Sequence, residues 1–289
     1  MTTPTFVLGL GAQKAGTTWL SDYLRSSSQY DYGFRKEYHV LDVVDLASEQ
    51  WMRTRVLDQA DETVSALRGG ASPSSDHLLR AAMIADLRVY YDYFASVLRR
   101  TGDVRATGDL TPAHALLASK RLTEVREQMD ARGVRTVAVL LLRDPVERVW
   151  SQARMRLQRS ADDAPGAAEQ RLLEEFERPT YTLRSRYDLT LQALTASFDP
   201  SDTYVGLYEQ LFTDGGEQAS RDLCRLVGID HVAPDAGRRA NPSRRDSDAL
   251  PDDVTRTIAR HFEQAYRTAA ARFTDIDLRD VWPSARFVL

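Results

Sequence analysis

The sequence GAQKAGTT, which begins at Gly11, contains the residue types that hold phosphate groups in nucleotide-binding loops. Gly11 and Gly16 occupy the two glycine positions of the P-loop pattern GxxxxGK[ST], and Thr18 occupies its hydroxyl position. The lysine position holds Thr17 instead, and Lys14 lies inside the loop. Because a P-loop uses its lysine on the β- and γ-phosphates and its hydroxyl on Mg²⁺, this loop predicts a phosphate site poorly suited to a metal–triphosphate. A glycine-rich turn that binds no ligand is the alternative.

A second cluster suited to a phosphate group begins at Arg143, directly after an uninterrupted apolar run over residues 134–142. Such a run is typical of a central strand that is covered on both faces of a parallel sheet. Asp144 and Pro145 then provide a good N-cap and a good first helical residue, which predicts a helix from Pro145. The guanidinium of Arg143 and the hydroxyl of Ser151, about two turns into that helix, form a suitable clamp for a second phosphate group.

Candidate proton acceptors occur in the segment KEYHVLD and further along the chain at His114. In an extended chain Glu37 and His39 lie on the same face, so that a carboxylate and an imidazole reach into one cleft, and Asp42 belongs to the same segment. His114 follows a predicted strand over residues 104–110, near the edge of an α/β sheet at which ligands bind. A solvated charged loop and a structural histidine are the respective alternatives.

Strands and helices alternate along the chain, with strands expected near residues 6–10, 104–109, 135–142 and 203–208. Helices are predicted over residues 18–26, 76–100, 117–131, 167–177, 183–198, 216–227 and 252–273, in addition to the helix from Pro145. This alternation predicts an α/β fold with a mostly parallel central sheet flanked by helices on both faces.

Polar and glycine-containing segments separate several of these elements. Residues 61–76 and 159–166 are predicted to be surface connections or mobile lids, and residues 233–251 are irregular and rich in arginine. The helix from Pro145 carries further arginines, most of which are expected to be solvated; they are Arg148, Arg154, Arg156 and Arg159.

The composition is that of an ordinary globular protein with a sizeable core, since 43% of the 289 residues are hydrophobic and 28% are charged. The net charge of −4 gives no sign of a nucleic-acid partner. The single cysteine, Cys224, excludes an intrachain disulfide framework and a cysteine-based metal cluster. Without a signal-like N-terminus or an apolar stretch long enough to insert into a membrane, the expected location is the cytoplasm.

Four segments together resemble motifs of the sulfotransferases that use 3′-phosphoadenosine 5′-phosphosulfate (PAPS). KAGTTW, from Lys14, resembles their 5′-phosphosulfate-binding loop, and RDPVERVWS, from Arg143, resembles their 3′-phosphate-binding strand and helix. KEYHVLD is similar to the KExHxxD segment of the glycan-type branch, the heparan sulfate sulfotransferases and their bacterial relatives. YEQL, from Tyr208, resembles their YExL strand end, and the resemblance extends over residues 5–275.

This resemblance implies one domain over residues 1–289 with the P-loop NTPase-like fold of sulfotransferases. It implies in-line transfer of SO₃ from PAPS to a hydroxyl or amine of a small-molecule or carbohydrate acceptor, leaving adenosine 3′,5′-bisphosphate and requiring no metal ion. Residues 61–76 and 159–166 would frame the acceptor, for which a sugar, a phenol and a natural-product hydroxyl all stay open. Abundant arginine and alanine with few lysines are consistent with a bacterial biosynthetic enzyme; the oligomeric state is open, with a homodimer as one option.

The same resemblance implies a role for each matching residue. Lys14 would stabilise charge on the bridging oxygen of the leaving phosphate, and Glu37 would be the general base, with His39 and Asp42 beside it. His114 is the alternative base, by similarity to the small-molecule branch. The implied cofactor-binding residues are Lys14, Ala15, Gly16, Thr17, Thr18 and Trp19 in the loop, Arg143 and Ser151 at the 3′-phosphate, Tyr208 near the adenine, and Arg238 and Arg239 in a segment similar to a C-terminal cofactor loop.

Two functions of other classes also fit parts of the sequence. A metal-dependent P-loop kinase of a small metabolite requires a lysine at the position of Thr17 and a carboxylate for Mg²⁺, for which Asp109 is the candidate. A non-enzymatic nucleotide-binding or scaffold protein requires only the phosphate-binding loop.

Overall fold

The computed structural model describes residues 3–100, 102–160, 167–212, 216–234 and 250–289, and its centre is a four-stranded sheet. The strands are β1 (Thr5–Gly9), β2 (Ala106–Asp109), β3 (Arg135–Leu142) and β4 (Thr203–Leu207). They lie in the order β2-β1-β3-β4, and every neighbouring pair is parallel. All of β1 and all but the first residue of β3 are buried, so both faces of the sheet are covered. The predicted α/β fold with a parallel sheet is confirmed.

Helices connect the strands and cover the sheet. They are α1 (Thr17–Arg25), α2 (Leu41–Asp45), α3 (Gln50–Arg68), α4 (Asp76–Ala85), α5 (Leu87–Val97), α6 (Ser119–Asp130), α7 (Pro145–Ser160), α8 (Ala167–Glu175), α9 (Pro179–Thr182), α10 (Tyr187–Ser197), α11 (Gly216–Val227), α12 (Asp252–His261), α13 (Glu263–Arg272) and α14 (Leu278–Val281). Short 3₁₀ segments include Ala47–Glu49, Pro112–Leu116, Leu183–Ser185, Tyr208–Phe212 and Pro283–Phe287. No helix in the described ranges is long and apolar enough to cross a membrane.

The predicted loop over residues 61–76 is wrong in its first half. Helix α3 continues to Arg68, so the connection before α4 comprises only residues 69–75. Val56, Ala60 and Thr63 are the buried residues of α3, and their spacing of three to four residues makes a narrow helical stripe among polar side chains. The two glycines and the proline mark only the loop that follows the helix.

Two predicted long helices are each divided in the structure. The helix expected over residues 76–100 stops at Asp86, which is extended and whose carboxylate accepts a hydrogen bond from the amide of Arg88, capping α5. The helix expected over residues 252–273 is interrupted at Phe262, between α12 and α13.

The C-terminal segment fastens the ends of β3 and β4. The buried carboxylate of Asp144 accepts hydrogen bonds from the hydroxyl of Tyr266 at 2.6 Å and from the amide of Ser284 at 3.0 Å. The indole of Trp282 donates to the Glu209 carboxylate at 2.8 Å, and the amide of Asp144 donates to the other oxygen of Glu209 at 3.2 Å. Because Asp144 and Glu209 directly follow Arg143 and Tyr208, which line the cavity described next, this network fixes one side of that site.

Candidate active site

The loop between β1 and α1 forms the floor of a cavity at the carboxyl ends of the strands. Gly16 has a φ of +86°, and a side chain there would meet the ring of Tyr208 at 2.6 Å, so the loop requires glycine at this position. Helix α1 begins at Thr17, and the first backbone N–H groups of a helix have no partner within it. This helix N-terminus is therefore suited to an anion, which the sequence predicts to bind there.

The cavity has a volume of about 660 Å³ and brings together most of the predicted site residues. Those that line it are Lys14, Gly16, Thr17, Thr18, Trp19, Glu37, His39, Arg143, Ser151 and Tyr208. Ala15 is fully buried beneath the loop. Arg238 and Arg239 lie outside the described residues. Eight further residues of the lining were not singled out as site residues from the sequence: Gln13, Glu49, Trp51, Met52, Arg55, Pro112, Met155 and Arg184.

Arg143 lies directly against the loop, as predicted for neighbouring parallel strands. Its guanidinium donates a hydrogen bond to the carbonyl of Lys14 at 3.0 Å and lies over the ring of Tyr208, 4.8 Å from the ring centroid. The carboxylate of Glu147 is 3.3 Å from the guanidinium, and the hydroxyl of Tyr187 donates to the carbonyl of Arg143 at 2.7 Å. The Nε atom of Arg143 is buried and has no hydrogen-bond partner among the described residues. An anion in the cavity would supply the missing acceptor.

Lys36 connects the loop between β1 and α1, called the phosphate-type loop below, to the segment that contains Glu37, His39 and Asp42. This role of Lys36 was not predicted from the sequence. Its ammonium donates to the hydroxyl of Thr18 at 3.1 Å and pairs with the carboxylate of Glu37 at 2.9 Å. The chain contains only three lysines, and two of them, Lys14 and Lys36, are at this site. Lysine is therefore scarce in a chain with 38 lysines and arginines, and this scarcity was the signal in the sequence that could have indicated the role of Lys36.

Glu37, His39 and Asp42 form a chain of charged contacts beside the cavity. The His39 Nε2 atom is 3.6 Å from a Glu37 oxygen, and its Nδ1 atom is 2.6 Å from Asp42 Oδ2. Burial alone would lower the pKa of the His39 imidazole, but its contacts with Asp42 and Glu37 raise that pKa to about 9. Burial alone would raise the pKa of the Glu37 carboxyl, yet His39 and Lys36 lower it to about 2. At neutral pH Glu37 is therefore ionised and His39 is protonated.

His114, the alternative base, is not brought to the cavity. Its side chain is fully buried, its Nδ1 atom is 3.2 Å from the carbonyl of Gly9, and its Nε2 atom is 3.8 Å from Asp109. Asp109 is also fully buried; its carboxylate accepts hydrogen bonds from the hydroxyls of Tyr90 and Thr111. Thr111 in turn accepts a hydrogen bond from the amide of His39. Asp109 therefore helps to fix the backbone of His39 through Thr111. Among the described residues, no group of three or more His, Cys, Asp and Glu side chains is placed to hold a metal ion.

The stability of the folded protein is expected to decline above pH 6.5 because of His39. A folded-state pKa of about 9, above the ordinary 6.5, means that His39 stabilises fully below pH 6.5 and loses this effect as the pH rises through 9. The expected loss is on the order of 2 kcal/mol in the unfolding free energy. Chemical denaturation of wild type and His39→Gln across this range measures it, with His77→Gln as the control. The same pH slope in wild type and His39→Gln would contradict the assignment.

Known proteins were compared with the chain and with its structure. The chain matches a sequence model described as the sulfotransferase family over residues 4–234, which is most of its length. No curated protein sequence matches it significantly. Among solved structures, a sulfotransferase from Alicyclobacillus acidocaldarius superposes with a TM-score of 0.60 at 19% identity, covering 95% of this chain and 97% of the other.

Two further sulfotransferase structures are more distant. A sulfotransferase domain from the curacin biosynthetic pathway has a TM-score of 0.44 and 16% identity, covering 80% of this chain and 76% of the other. A sulfotransferase domain from the olefin synthase of Synechococcus PCC 7002 has a TM-score of 0.45 and 16% identity, covering 90% and 94%. The similarity to the Alicyclobacillus structure supports the fold, and the sequence model supports the family. The chain belongs to the sulfotransferase family.

Proposed function

We propose that this sulfotransferase uses PAPS as the donor and moves its sulfuryl group to a hydroxyl or amine of a small-molecule or carbohydrate acceptor. One observation carries the proposal: the phosphate-type loop, the clamp around Arg143 and the ionised carboxylate of Glu37 open on the same cavity. The first two suit a donor with two separate phosphate groups, and the third suits an acceptor that must lose a proton.

The residues of the cavity fit such a donor. The N-terminus of α1 and the hydroxyls of Thr17 and Thr18 are suited to the 5′-phosphate, and Arg143 with Ser151 is suited to the 3′-phosphate. The unpaired buried Nε of Arg143 supports an anion at that position. Trp19 stacks on Tyr23 with ring centroids 5.1 Å apart and also lines the cavity, so one face of an adenine would find an aromatic surface there.

The reaction needs stabilisation of a leaving phosphate and removal of one proton. PAPS supplies a sulfuryl group whose sulfur–oxygen bond to the 5′-phosphate breaks as the bond to the acceptor forms. Lys14 stabilises the negative charge that develops on the bridging oxygen. Glu37 accepts the proton of the acceptor hydroxyl or amine, and Lys36 and His39 hold its carboxylate in position.

The kinase alternative is tested by the preferred nucleotide. Calorimetric titration of the protein with adenosine 3′,5′-bisphosphate and, separately, with ATP and Mg²⁺ gives the two affinities directly. We expect tight binding of the bisphosphate without metal. A preference for ATP with Mg²⁺ would replace the proposed function with that of a kinase.

Replacement of Arg143 by alanine is expected to weaken binding of adenosine 3′,5′-bisphosphate by roughly 1.5–3 kcal/mol, the scale of a hydrogen bond to a charged group. The variant also loses the contact with the carbonyl of Lys14, so the loop becomes less firmly held. Arg267→Ala is the matched control, because Arg267 forms an ion pair with Glu263 on the surface of α13. An unchanged affinity in Arg143→Ala would place the second phosphate elsewhere.

A further inference from the structure

The cavity is also lined by four charged or aromatic side chains that belong to neither phosphate-type motif nor to the Glu37 segment. Trp51 and Arg55 lie at the start of α3, Glu49 ends the 3₁₀ segment directly before it, and Arg184 lies in the short 3₁₀ segment before α10. We call these four residues the acceptor wall. They share one cavity with Glu37, so a molecule that presents a hydroxyl to Glu37 extends toward them.

Glu49 and Arg184 both line the cavity and form an ion pair that leaves one carboxylate oxygen without a partner among the described residues. Arg184 donates to Glu49 Oε1 at 2.7 Å, although the two residues are 135 positions apart in the chain. Glu49 is only 2% exposed, and its Oε2 atom is buried with no hydrogen-bond partner among the described residues. A buried carboxylate oxygen without a partner is costly, and a hydroxyl of a bound molecule would satisfy it.

Arg55 gives the acceptor wall a positive charge that no described carboxylate balances. Arg184 is paired with Glu49, whereas Arg55 is exposed and makes no ion pair within the described part of the chain. Its charge is felt by the buried Arg80, whose pKa is lowered to about 10 by burial first, then by Arg35 and to a smaller extent by Arg55. The cluster of guanidinium groups therefore favours a molecule with a negative charge at this end.

Trp51 adds a flat apolar surface to the same wall. Its side chain is 58% exposed, the largest exposure among the big hydrophobic residues of the described chain. Met52 and Pro112 line the cavity with it. An exposed indole next to hydrogen-bonding groups suits the face of a sugar or aromatic ring, which it can cover without losing much conformational entropy.

We propose that the acceptor wall binds a ring-containing hydroxylated acceptor that carries one anionic group. Arg55 binds the anionic group, Trp51 covers the ring, and Glu49 accepts a hydrogen bond from a hydroxyl other than the one that is sulfated. This assignment rests on the proposed function, since it takes Glu37 as the position of the reacting group. The positive charge of Arg55 would also offset the repulsion between the donor phosphates and an anionic acceptor.

The test uses two series of probes that differ in one substituent. The first comprises 4-hydroxyphenylacetate, 4-hydroxyphenylacetamide and tyramine; the second comprises glucuronate, glucose and glucosamine. Binding of each to the complex of the protein with adenosine 3′,5′-bisphosphate is measured by calorimetry, and transfer from PAPS is followed by mass shift. We expect the anionic member of at least one series to bind about 10- to 100-fold more tightly than its neutral analogue.

Arg55→Gln is expected to abolish that preference while leaving bisphosphate affinity unchanged. Arg53→Gln, two residues away on α3 and outside the cavity lining, is the matched control and should keep the preference. Equal or tighter binding of the neutral and cationic probes, or binding of none of the six, would overturn the anionic class. Weaker bisphosphate binding in Arg55→Gln would make Arg55 a donor contact and overturn the proposal too. Failure of the wild type to bind the bisphosphate would instead overturn the proposed function.

Discussion

Glu37→Gln is expected to lower kcat by about 10²- to 10⁴-fold, the usual contribution of a positioned general base. The substitution keeps the size of the side chain and removes its ability to accept a proton. Because Glu37 has a pKa of about 2, it is ionised at neutral pH. Its activity as a base therefore depends on its position, which Lys36 and His39 fix, rather than on a raised pKa.

Three measurements separate this role from a structural one. The affinity of Glu37→Gln for adenosine 3′,5′-bisphosphate should equal that of the wild type, and its thermal unfolding should still be cooperative. Glu174→Gln, an exposed glutamate on α8, is the matched control and should retain full turnover. If Glu37→Gln retains turnover while a folded His114→Gln loses it, the base is His114.

The sheet and the position of the site were predictable because they depend on local patterns. The apolar runs that became β1 and β3 are continuous, as expected for strands covered on both faces. Parallel strands place their carboxyl ends at one edge, so the residues that follow β1 and β3 must be neighbours. That reasoning brought Lys14 and Arg143 together, and the structure shows them in hydrogen-bond contact.

Contacts between distant parts of the chain were not predictable in the same way. Glu49 and Arg184 each look like a solvated surface charge in the sequence, and only the folded structure brings the segments Ala47–Glu49 and Leu183–Ser185 together and pairs them. Arg148 was expected to be solvated with most of its neighbours on α7, yet it is fully buried and donates to Ser185 and to the carbonyl of Tyr181. A single sequence gives the charge of such residues and not the partner that permits their burial.

The acceptor side was the least predictable part for a related reason. Helix α3 carries Trp51 and Arg55 of the acceptor wall, and its apolar stripe is so narrow that part of the helix reads as a polar connection in the sequence. The proposed donor side consists largely of backbone groups, whose positions follow from glycine spacing and from the start of a helix. The proposed acceptor side consists of side chains from separate elements, so its chemistry can be inferred only once those elements are placed.

Lys14→Met is expected to reduce kcat by about 10²- to 10³-fold, comparable to the loss of one oxyanion-stabilising donor. Methionine keeps the length and the apolar part of the side chain and removes the ammonium. Lys14 has a φ of +66°, and its Nζ atom is 3.8 Å from the sulfur of Met155 at the edge of the cavity. Lys14 lines the same cavity in which we propose that the leaving phosphate is held.

The effect on binding should be much smaller than the effect on turnover. The ammonium interacts most strongly with the bridging oxygen in the transition state, when the negative charge there has grown. Its removal therefore raises the activation barrier more than it weakens binding of the donor in the ground state. Bisphosphate affinity is therefore expected to change by less than about tenfold while kcat collapses. Lys120→Met, on the exposed start of α6, is the control. Equal losses in kcat and in bisphosphate affinity would show that Lys14 only binds the donor, and the stabilisation of the leaving group would then belong to Lys36, the other lysine at this cavity.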